Sequence, residues 1–312
     1  MKDKRLFHGV INDDNESWHS LCSTEAFVPL IKYIYQSNSM TFEKIASIPS
    51  SVFHTGDKVI KLFCPPEVLT REHDIHEYET ELAVMGHART AGIAVPDVIH
   101  NGSICDGPYT FNYIVMSYIE GESAKKVLSG YSDTEKEDFA IKLKEIKTKL
   151  NVPAHGVNIP RFDDSGRINS ALWTSFPDSF REDRKRVIEN TVFPELVVCH
   201  GDMGRQNIII DTCGHLYLID FAESVQAPHY FEDSKLIEDY GCDRVLMKAL
   251  YGNYENDAFY EMITISMLLG WFNGILIEWI AERNGVNKSD ITSISALKDM
   301  LKKWILTGGF GI

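Results

Sequence analysis

The chain has 312 residues, 44% of them hydrophobic and 11% aromatic, which is enough apolar material for about two packed domains. Its 45 acidic and 31 basic residues give a formal net charge of −14, which argues against nucleic acid or an anionic membrane as the main partner. The six cysteines include no C-x-x-C pair, and the N-terminus lacks the apolar run of a secretory signal. We therefore expect reduced thiols and a cytoplasmic protein.

Three short strands are predicted after an N-terminal helix. Apolar residues at helical spacing predict the helix from Thr24 to Tyr35. The next apolar runs, Phe42 to Ile48, Val52 to Thr55 and Lys58 to Phe63, are separated by short segments of Pro, Ser, Gly and Asp. This pattern predicts three strands of an antiparallel meander.

A long helix and two further strands complete the first part. Leu69 to Thr90 has a charged and then apolar helical pattern, and Gly92 follows it. Val98 to Ser103 and Phe111 to Tyr118 have strand patterns. Five antiparallel strands with one helix predict a small N-terminal α+β lobe, which we place at residues 1–115.

The second part, residues 116–312, is predicted to be a larger, mainly helical lobe. Ser132 to Leu150 is amphipathic, and Ser132 or Asp133 would cap it. Val157 to Ser179 is rich in Pro, Gly, Asp and Ser and predicts a long loop or a lineage-specific insertion. The uncharged stretch from Met262 to Ile277 is too short for a membrane span and predicts a buried helix.

Two polar clusters bounded by apolar runs indicate a catalytic site. The segment VVCHGDMGRQNIII contains His200, Asp202 and Asn207, and LYLIDFAES places Asp220 thirteen positions after the asparagine. A kinase has to orient an acceptor hydroxyl and hold Mg²⁺ against the triphosphate. Asp202 would orient the hydroxyl, and Asn207 and Asp220 would supply hard oxygen ligands for Mg²⁺. An isolated His-x-Asp would indicate only a capped turn, but three matched positions favour a kinase site.

The third strand and the helix after it contain residues suited to phosphate binding. Lys61 shares a strand face with Val59 and Phe63, so it is the predicted α/β-phosphate lysine, whereas Lys58 better fits a solvent-facing lysine. Glu81 shares a helical face with apolar residues at i+3, i+4 and i+7. We predict Glu81 as the partner of Lys61, with Glu79 as the alternative.

The two common glycine-rich nucleotide motifs are missing from the sequence. Neither G-x-G-x-x-G nor G-x-x-x-x-G-K-[ST] occurs, which excludes a Rossmann dinucleotide fold and a P-loop. The loop between the first two strands contains Ser50 and Ser51, whose small hydroxyl side chains would let the backbone approach phosphates. An ordinary hairpin loop explains these serines nearly as well.

Five segments of the chain resemble the aminoglycoside phosphotransferase and choline kinase family of kinase-like enzymes: VIKLF, IAVPDVI, YIVMSYIEG, CHGDMGRQNIII and LIDFAES. The resemblance runs from about Thr41 to Ile237. It implies an α+β, two-lobe protein-kinase-like fold in which the adenine binds a hinge after Met116. Backbone groups of Ser117 and Ile119 would bind the base.

The catalytic loop departs from the usual family pattern. The family has Asp-Leu-His-Pro-x-Asn, whereas Asp202-Met-Gly-Arg-Gln-Asn207 is closer to hygromycin-type phosphotransferases. By resemblance, Asp233 braces the catalytic loop from the next helix. Acidic residues beyond the site suit the family's cationic acceptors or, about equally, a solvated helix face. These residues are Glu232, Glu238, Asp239 and Asp243.

We therefore expect an enzyme that transfers the γ-phosphate of ATP, with GTP as the alternative, to a hydroxyl group in a reaction that requires Mg²⁺. Only twelve residues separate Asp220 from Asp233, which leaves no room for the activation segment of a protein kinase and favours a small acceptor. By resemblance the acceptor is cationic, such as an aminoglycoside, which would make the protein an antibiotic-resistance enzyme. The alternatives are a choline/ethanolamine-type or other metabolite kinase and a non-catalytic nucleotide-binding module. We expect a monomer without a nucleic-acid or membrane partner.

Overall fold

The computed structural model describes residues 5–9, 11, 25–37, 41–46, 51–69 and 76–307. The chain divides into two compact units, one of Met1–Glu79 with Val95–Glu120 and the other of Thr80–Ala94 with Gly121–Ile312. The first contains a five-stranded antiparallel sheet and the second is mainly helical, so the predicted α+β class is confirmed. As a division between nucleotide-binding and acceptor-binding lobes, the boundary at 115/116 stays a prediction. No helix among the described residues is both long and apolar enough to cross a membrane.

The first unit is built around the sheet. Its strands lie in the order β1-β2-β3-β5-β4, and all neighbours are antiparallel. Gly56 has a φ of +59° and opens the two-residue turn between β2 and β3, as expected of a hairpin turn with glycine in its first position. All five predicted strands are present. They are β1 (Glu43–Ala46), β2 (Ser51–Thr55), β3 (Lys58–Leu62), β4 (Val98–Asp106) and β5 (Tyr109–Ser117).

A short helix and the N-terminal segment pack against this sheet. Helix α1 (Val28–Ile34) follows a 3-10 turn, and its buried residues share a core cluster with Phe53 and Ile60 of the sheet. The N-terminal segment is joined to β4, since the Asp106 carboxylate accepts the backbone N–H of Phe7 at 2.7 Å. Phe7 thereby becomes part of the same core cluster.

Helix α2 (Glu77–Thr90) begins later than the sequence predicts. Leu69 is extended and outside the helix, and residues 70–75 lie outside the described part of the chain. The apolar face of α2 is buried as expected, with Val84 and Ala88 fully inaccessible to solvent.

The second unit combines helices with five short strands. The strands form two small antiparallel sheets, β10-β7 and β6-β8-β9. Their bounds are β6 (Gly121–Ser123), β7 (Val197–Cys199), β8 (Ile208–Asp211), β9 (Leu216–Leu218) and β10 (Val225–Ala227). The helices are α3 (Ala124–Val127), α4 (Asp133–Leu150), α5 (Ser165–Ile168), α6 (Asp178–Asn190), α7 (Asp233–Tyr240), α8 (Arg244–Tyr251), α9 (Asp257–Leu269), α10 (Asn273–Arg283) and α11 (Ile294–Thr307).

Two predictions for this unit need correction. The stretch from Val157 to Ser179 is not a featureless loop, because it contains α5 and buries Trp173 in the helical core. The apolar stretch from Met262 to Ile277 is buried but forms parts of two helices rather than one. The chain turns at Gly270, where a Cβ would lie 2.5 Å from the Asn273 side chain.

Candidate active site

The predicted catalytic and metal residues lie at the ends of short strands in the second unit. His200 and Asp202 follow β7, Asn207 directly precedes β8, and Asp220 comes two residues after β9. Strand β7 pairs with β10, and β8 pairs with β9. The backbone N–H of Ile219 donates to the Asn207 carbonyl oxygen at 3.0 Å. This pairing brings the two predicted segments together.

The turn after β7 requires glycine at position 201. Gly201 has a φ of +86°, and a Cβ on it would lie only 1.9 Å from the carbonyl oxygen of Glu223. Its N–H donates to Glu232 Oε1 at 3.1 Å. Any side chain here would push apart the segments that carry Asp202 and Asp220.

His200 holds the same turn from the inside of the protein. It is fully buried, with Nε2 3.0 Å from the Ile219 carbonyl oxygen and Nδ1 3.3 Å from the Asp202 backbone nitrogen. A carbonyl oxygen only accepts and a backbone N–H only donates, so these contacts select the neutral tautomer with its proton on Nε2. His200 therefore acts as a structural link between the two loops.

The Asp202 carboxylate is held by amide groups of its own loop. Asn207 donates through Nδ2 to Asp202 Oδ2 at 2.9 Å, and Gln206 Nε2 lies 3.3 Å from the same oxygen. The Asp202 side chain nevertheless keeps 36% of its surface exposed. A carboxylate that is fixed but accessible can orient the hydroxyl group of an acceptor.

Negative charge is concentrated around Asp202. Burial is the largest cause that raises the pKa of Asp202, and the neighbouring charges of Asp220 and Glu223 raise it further. The ammonium group of Lys235 acts in the opposite direction. A cation bound at this site would offset the repulsion between the carboxylates.

Asn207 and Asp220 have donor atoms suited to such a cation. Asn207 donates through Nδ2 to both the carboxylate and the carbonyl oxygen of Asp202, so its Oδ1 is left for another partner. Asp220 has a φ of +63°, a left-handed conformation that is uncommon for non-glycine residues and recurs at functional sites. One carboxylate and one amide oxygen are hard ligands of the kind that Mg²⁺ prefers, so the residues present fit this ion.

The residue that braces the catalytic loop is Glu232 rather than Asp233. Glu232 accepts the Gly201 N–H and is 1% exposed, and burial raises the pKa of its carboxyl group to about 7. Asp233 is bound instead by Lys147 Nζ at 2.5 Å and by the Tyr251 hydroxyl at 2.9 Å, which ties α7 to α4 and α8. The predicted contact of Asp233 is therefore wrong, because its carboxylate faces the helices.

The acidic residues after the site are engaged within the protein. Glu238 Oε2 lies 2.9 Å from Lys235 Nζ, and Asp239 accepts the backbone N–H of Arg205 at 2.7 Å. Asp243 caps α8 by accepting its first N–H groups. The burial of Glu238 and Asp239 does not fit a solvated acidic face, and a role of these residues in acceptor binding stays a prediction.

Lys61 lies in the first unit where the strand pattern predicts it. On β3 it is opposite Val52 and Ile114, its side chain is 5% exposed, and Nζ is 5.1 Å from the ring centre of Phe63. Lys58 on the same strand is only half-buried. A buried lysine fits the predicted role in anion binding, whereas Lys58 has the burial of a surface residue.

Burial on α2 separates the candidate carboxylates. Glu81 is 1% exposed and lies on the buried apolar face, whereas Glu79 is exposed. Glu77 in the first turn is also buried. Burial thus favours Glu81 over Glu79, although Glu81 belongs to the second unit and Lys61 to the first, and their pairing stays a prediction.

The remaining nucleotide contacts also stay predictions. Ser50 lies outside the described residues, and Ser51 is fully buried at the start of β2. The Ser117 N–H already donates to the carbonyl oxygen of Asp97 at 2.9 Å, within the first unit. Ile119 follows β5 in a segment without regular secondary structure.

The fold and the carboxylate-amide site together define the chain as a phosphotransferase with a protein-kinase-like fold. The model of the phosphotransferase enzyme family matches residues 52–253, nearly two thirds of the sequence. The chain belongs to this family and is an enzyme that transfers phosphate to an alcohol group. No curated protein sequence matches it significantly.

Solved structures similar to this chain include aminoglycoside phosphotransferases and a choline/ethanolamine kinase family protein. A GDP complex of aminoglycoside 2'-phosphotransferase-IIIa is 15% identical, with a TM-score of 0.59 over 90% of this chain and 98% of that one. A choline/ethanolamine kinase family protein from Mesorhizobium loti is 17% identical, with a TM-score of 0.51 over 95% of each chain. A thermostable mutant of aminoglycoside phosphotransferase APH(4)-Ia with ADP and hygromycin B is 13% identical, with a TM-score of 0.51 over 91% and 98%. At these identities the similarity establishes the fold.

Proposed function

We propose that the enzyme transfers the γ-phosphate of ATP to a hydroxyl group of a small cationic acceptor such as an aminoglycoside, with Mg²⁺ bound by Asn207 and Asp220. The observation that carries this proposal is the hydrogen-bonded pair of Asp202 and Asn207, which the Ile219–Asn207 backbone contact joins to the loop of Asp220. Positioning of this kind is what phosphoryl transfer requires from a protein.

In the proposed step the acceptor oxygen attacks the γ-phosphorus in line. The bond from that phosphorus to the bridging oxygen breaks, and ADP leaves with the electron pair. Asp202 orients the hydroxyl group and accepts its proton as the new P–O bond forms. Mg²⁺, when bound, shields the phosphate charges, and Lys61 would hold the α- and β-phosphates.

A cationic acceptor agrees with the charges near Asp202. The net charge of the chain is −14, and Glu223 adds a partly exposed carboxylate beside the site. The indole Nε1–H of Trp271 donates to Glu223 Oε2 at 2.8 Å, so an aromatic ring accompanies the carboxylate. Carboxylates and aromatic rings together favour amines, although Arg167 at 3.6 Å balances part of the Glu223 charge.

A metabolite kinase is the second candidate. The similarity to the choline/ethanolamine kinase family protein covers 95% of both chains and supports an amino alcohol as the acceptor. The nucleotide has two candidates as well, because one compared structure contains GDP and another contains ADP. ATP is our first choice and GTP the alternative.

A screen of nucleotide consumption distinguishes these acceptors. Purified protein with Mg²⁺ and ATP or GTP would be assayed for diphosphate release in the presence of aminoglycosides, hygromycin, choline, ethanolamine, homoserine and sugars. We expect turnover with an aminoglycoside. Turnover with choline or ethanolamine alone would support the second candidate and contradict a resistance role.

Asp202→Ala tests the catalytic assignment. We expect kcat to fall by about 10³-fold or more, because the acceptor hydroxyl is no longer oriented, while nucleotide binding is largely kept. Undiminished turnover would contradict the assignment. If the wild-type protein binds nucleotide but consumes none with any acceptor, and Asp220→Ala changes nothing further, a non-catalytic module would be the better description.

We also propose that the enzyme works as a cytoplasmic monomer. The five cysteines of the described residues are free, as expected in a reducing compartment. Light scattering on the purified protein would test the monomer, and a mass of about twice 35.4 kDa would contradict it.

A further inference from the structure

Lys235 is a cation of the site that the sequence motifs do not include. It lies on α7 with a side chain that is 15% exposed, and its Nζ is 2.9 Å from Glu238 Oε2. The same Nζ lies 3.9 Å from Asp202 Oδ1 and 3.9 Å from Asp239 Oδ2. An ammonium group from a helix thus reaches the catalytic carboxylate.

Gly204 provides the space for this lysine. A Cβ at position 204 would lie 2.5 Å from Lys235 Cε, 2.7 Å from Gln206 Nε2 and 2.8 Å from Asp239 Oδ2. Gly204 has no left-handed φ, so its backbone conformation does not itself call for glycine. The absence of a side chain therefore serves the approach of Lys235 to the catalytic loop.

The acidic neighbours of Lys235 on α7 have further cations of their own. Arg283 Nη1 lies 3.4 Å from Glu238 Oε1, and Arg205 Nε lies 3.4 Å from Asp239 Oδ1. Among the ion pairs of the described residues, by contrast, the cation that approaches Asp202 is Lys235. Neutralising the helix carboxylates is therefore not a sufficient reason for a lysine at this position.

We propose that Lys235 is a positioning residue for phosphoryl transfer, which attracts Oδ1 of the Asp202 carboxylate from 3.9 Å, on the side that Gln206 Nε2 also contacts at 3.4 Å, while Asn207 donates to Oδ2. This inference rests on the proposed function. With both oxygens located, the carboxylate keeps one orientation toward the acceptor hydroxyl, and the ammonium balances negative charge that accumulates as the phosphoryl group approaches.

The main test is Lys235→Met, assayed with the acceptor found in the screen. We expect kcat to fall about 30-fold to 1,000-fold, with the KM for the nucleotide changed less than about threefold. Lys298→Met is the matched control, since Lys298 is a mostly buried lysine on α11 that pairs with Glu261. The control should keep kcat within about twofold.

A second variant separates positioning from a structural ion pair. Lys235→Met leaves Glu238 with one cation fewer and is expected to lower the melting temperature. Lys235→Met combined with Glu238→Gln also removes the Glu238 charge, which would otherwise have only Arg283 as its partner, so stability should recover while kcat stays low. Recovery of kcat together with stability would overturn the proposal, because a structural role would then explain the single variant.

Gly204→Ala tests the importance of the position of Lys235 without a change of charge. Its methyl group would crowd the side chains of Lys235, Gln206 and Asp239, and we expect a loss of kcat in the same direction as for Lys235→Met. A wild-type enzyme that transfers phosphate while Lys235→Met keeps full kcat would contradict this inference alone. A wild-type protein that phosphorylates no acceptor contradicts the proposed function, and the inference on Lys235 falls with it.

Discussion

The strand that carries Lys61 and the turn that carries Asp202 are held in place in different ways. Strand β3 lies inside a ladder of main-chain hydrogen bonds, with Lys61 opposite Val52 and Ile114. The turn after β7 is held by side chains that come from distant parts of the sequence, such as Glu232 on the Gly201 N–H. A ladder keeps its geometry when a side chain is exchanged, whereas the turn depends on each contact.

The largest loss of stability is expected at Gly201, where the turn has no room for a side chain. Gly201→Ala forces a residue with a Cβ into a φ of +86° and places that Cβ 1.9 Å from the Glu223 carbonyl oxygen. We expect the free energy of unfolding to fall by about 3–5 kcal/mol, with loss of activity. Denaturant unfolding would measure this.

Gly214→Ala is the matched control for Gly201→Ala. Gly214 has a similar φ of +80°, but no atom lies within 4 Å of a Cβ built on it. Only the cost of the left-handed conformation, about 1–2 kcal/mol, is expected there. Equal losses in both variants would show that the close approach to Glu223 is unimportant.

A substitution of Lys61 on strand β3 should affect catalysis rather than folding. Lys61→Met leaves the main-chain ladder of β3 in place, so the protein should still fold. If Lys61 holds phosphates, kcat/KM for the nucleotide should fall about 100-fold or more. Lys58→Met on the same strand is the control and should stay within about threefold of the wild type. Equal effects of the two substitutions would remove the distinction between the buried and the half-buried lysine.

The stability of the protein depends on pH through Glu232, which holds the turn after β7. Its pKa in the folded protein is about 7, above the ordinary value of 4.5, so the folded state keeps a proton that the unfolded state loses. Stability from this group is therefore complete below about pH 4.5 and is lost as the pH rises to about 7. Glu232→Gln cannot lose a proton, so its free energy of unfolding should fall less than that of the wild type between pH 5 and pH 8, by about 1–3 kcal/mol. Parallel pH profiles would contradict this.

The smallest loss of stability is expected at Ser132, which lies far from the catalytic turn in the sequence. Ser132 caps α4 in a reciprocal pair with Glu135, in which each side chain accepts the backbone N–H of the other residue. Ser132→Ala should cost about 1 kcal/mol of unfolding free energy and leave kcat unchanged. A clear fall in kcat would show that α4 and the catalytic turn are more closely coupled than the contacts indicate.

Local sequence patterns were sufficient to predict much of the structure of this protein. The apolar run around Lys61 predicted strand β3, and the alternation of side chains between the two faces of a strand placed Lys61 on the face of Val59 and Phe63. Helical spacing predicted that Glu81 shares the buried face of α2, and the capping pattern predicted Ser132 or Asp133 as the cap of α4, of which the structure has Ser132. The spacing of Asp202, Asn207 and Asp220 indicated the type of chemistry because phosphoryl transfer needs these groups.

Contacts between distant segments could not be predicted from local sequence patterns. The sequence contains adjacent carboxylates at Glu232 and Asp233, and only the packing of α7 decides that the first faces Gly201 and the second faces Lys147. Gly204 could have drawn attention as an unusual residue in the loop, but its neighbour Lys235 is 31 positions away. Such partners depend on how a helix is rotated against a turn, and this rotation is set by the whole core rather than by the residues near the motif. The residue types and spacing therefore specify the chemistry, while the tertiary structure specifies which charged groups hold the catalytic carboxylate.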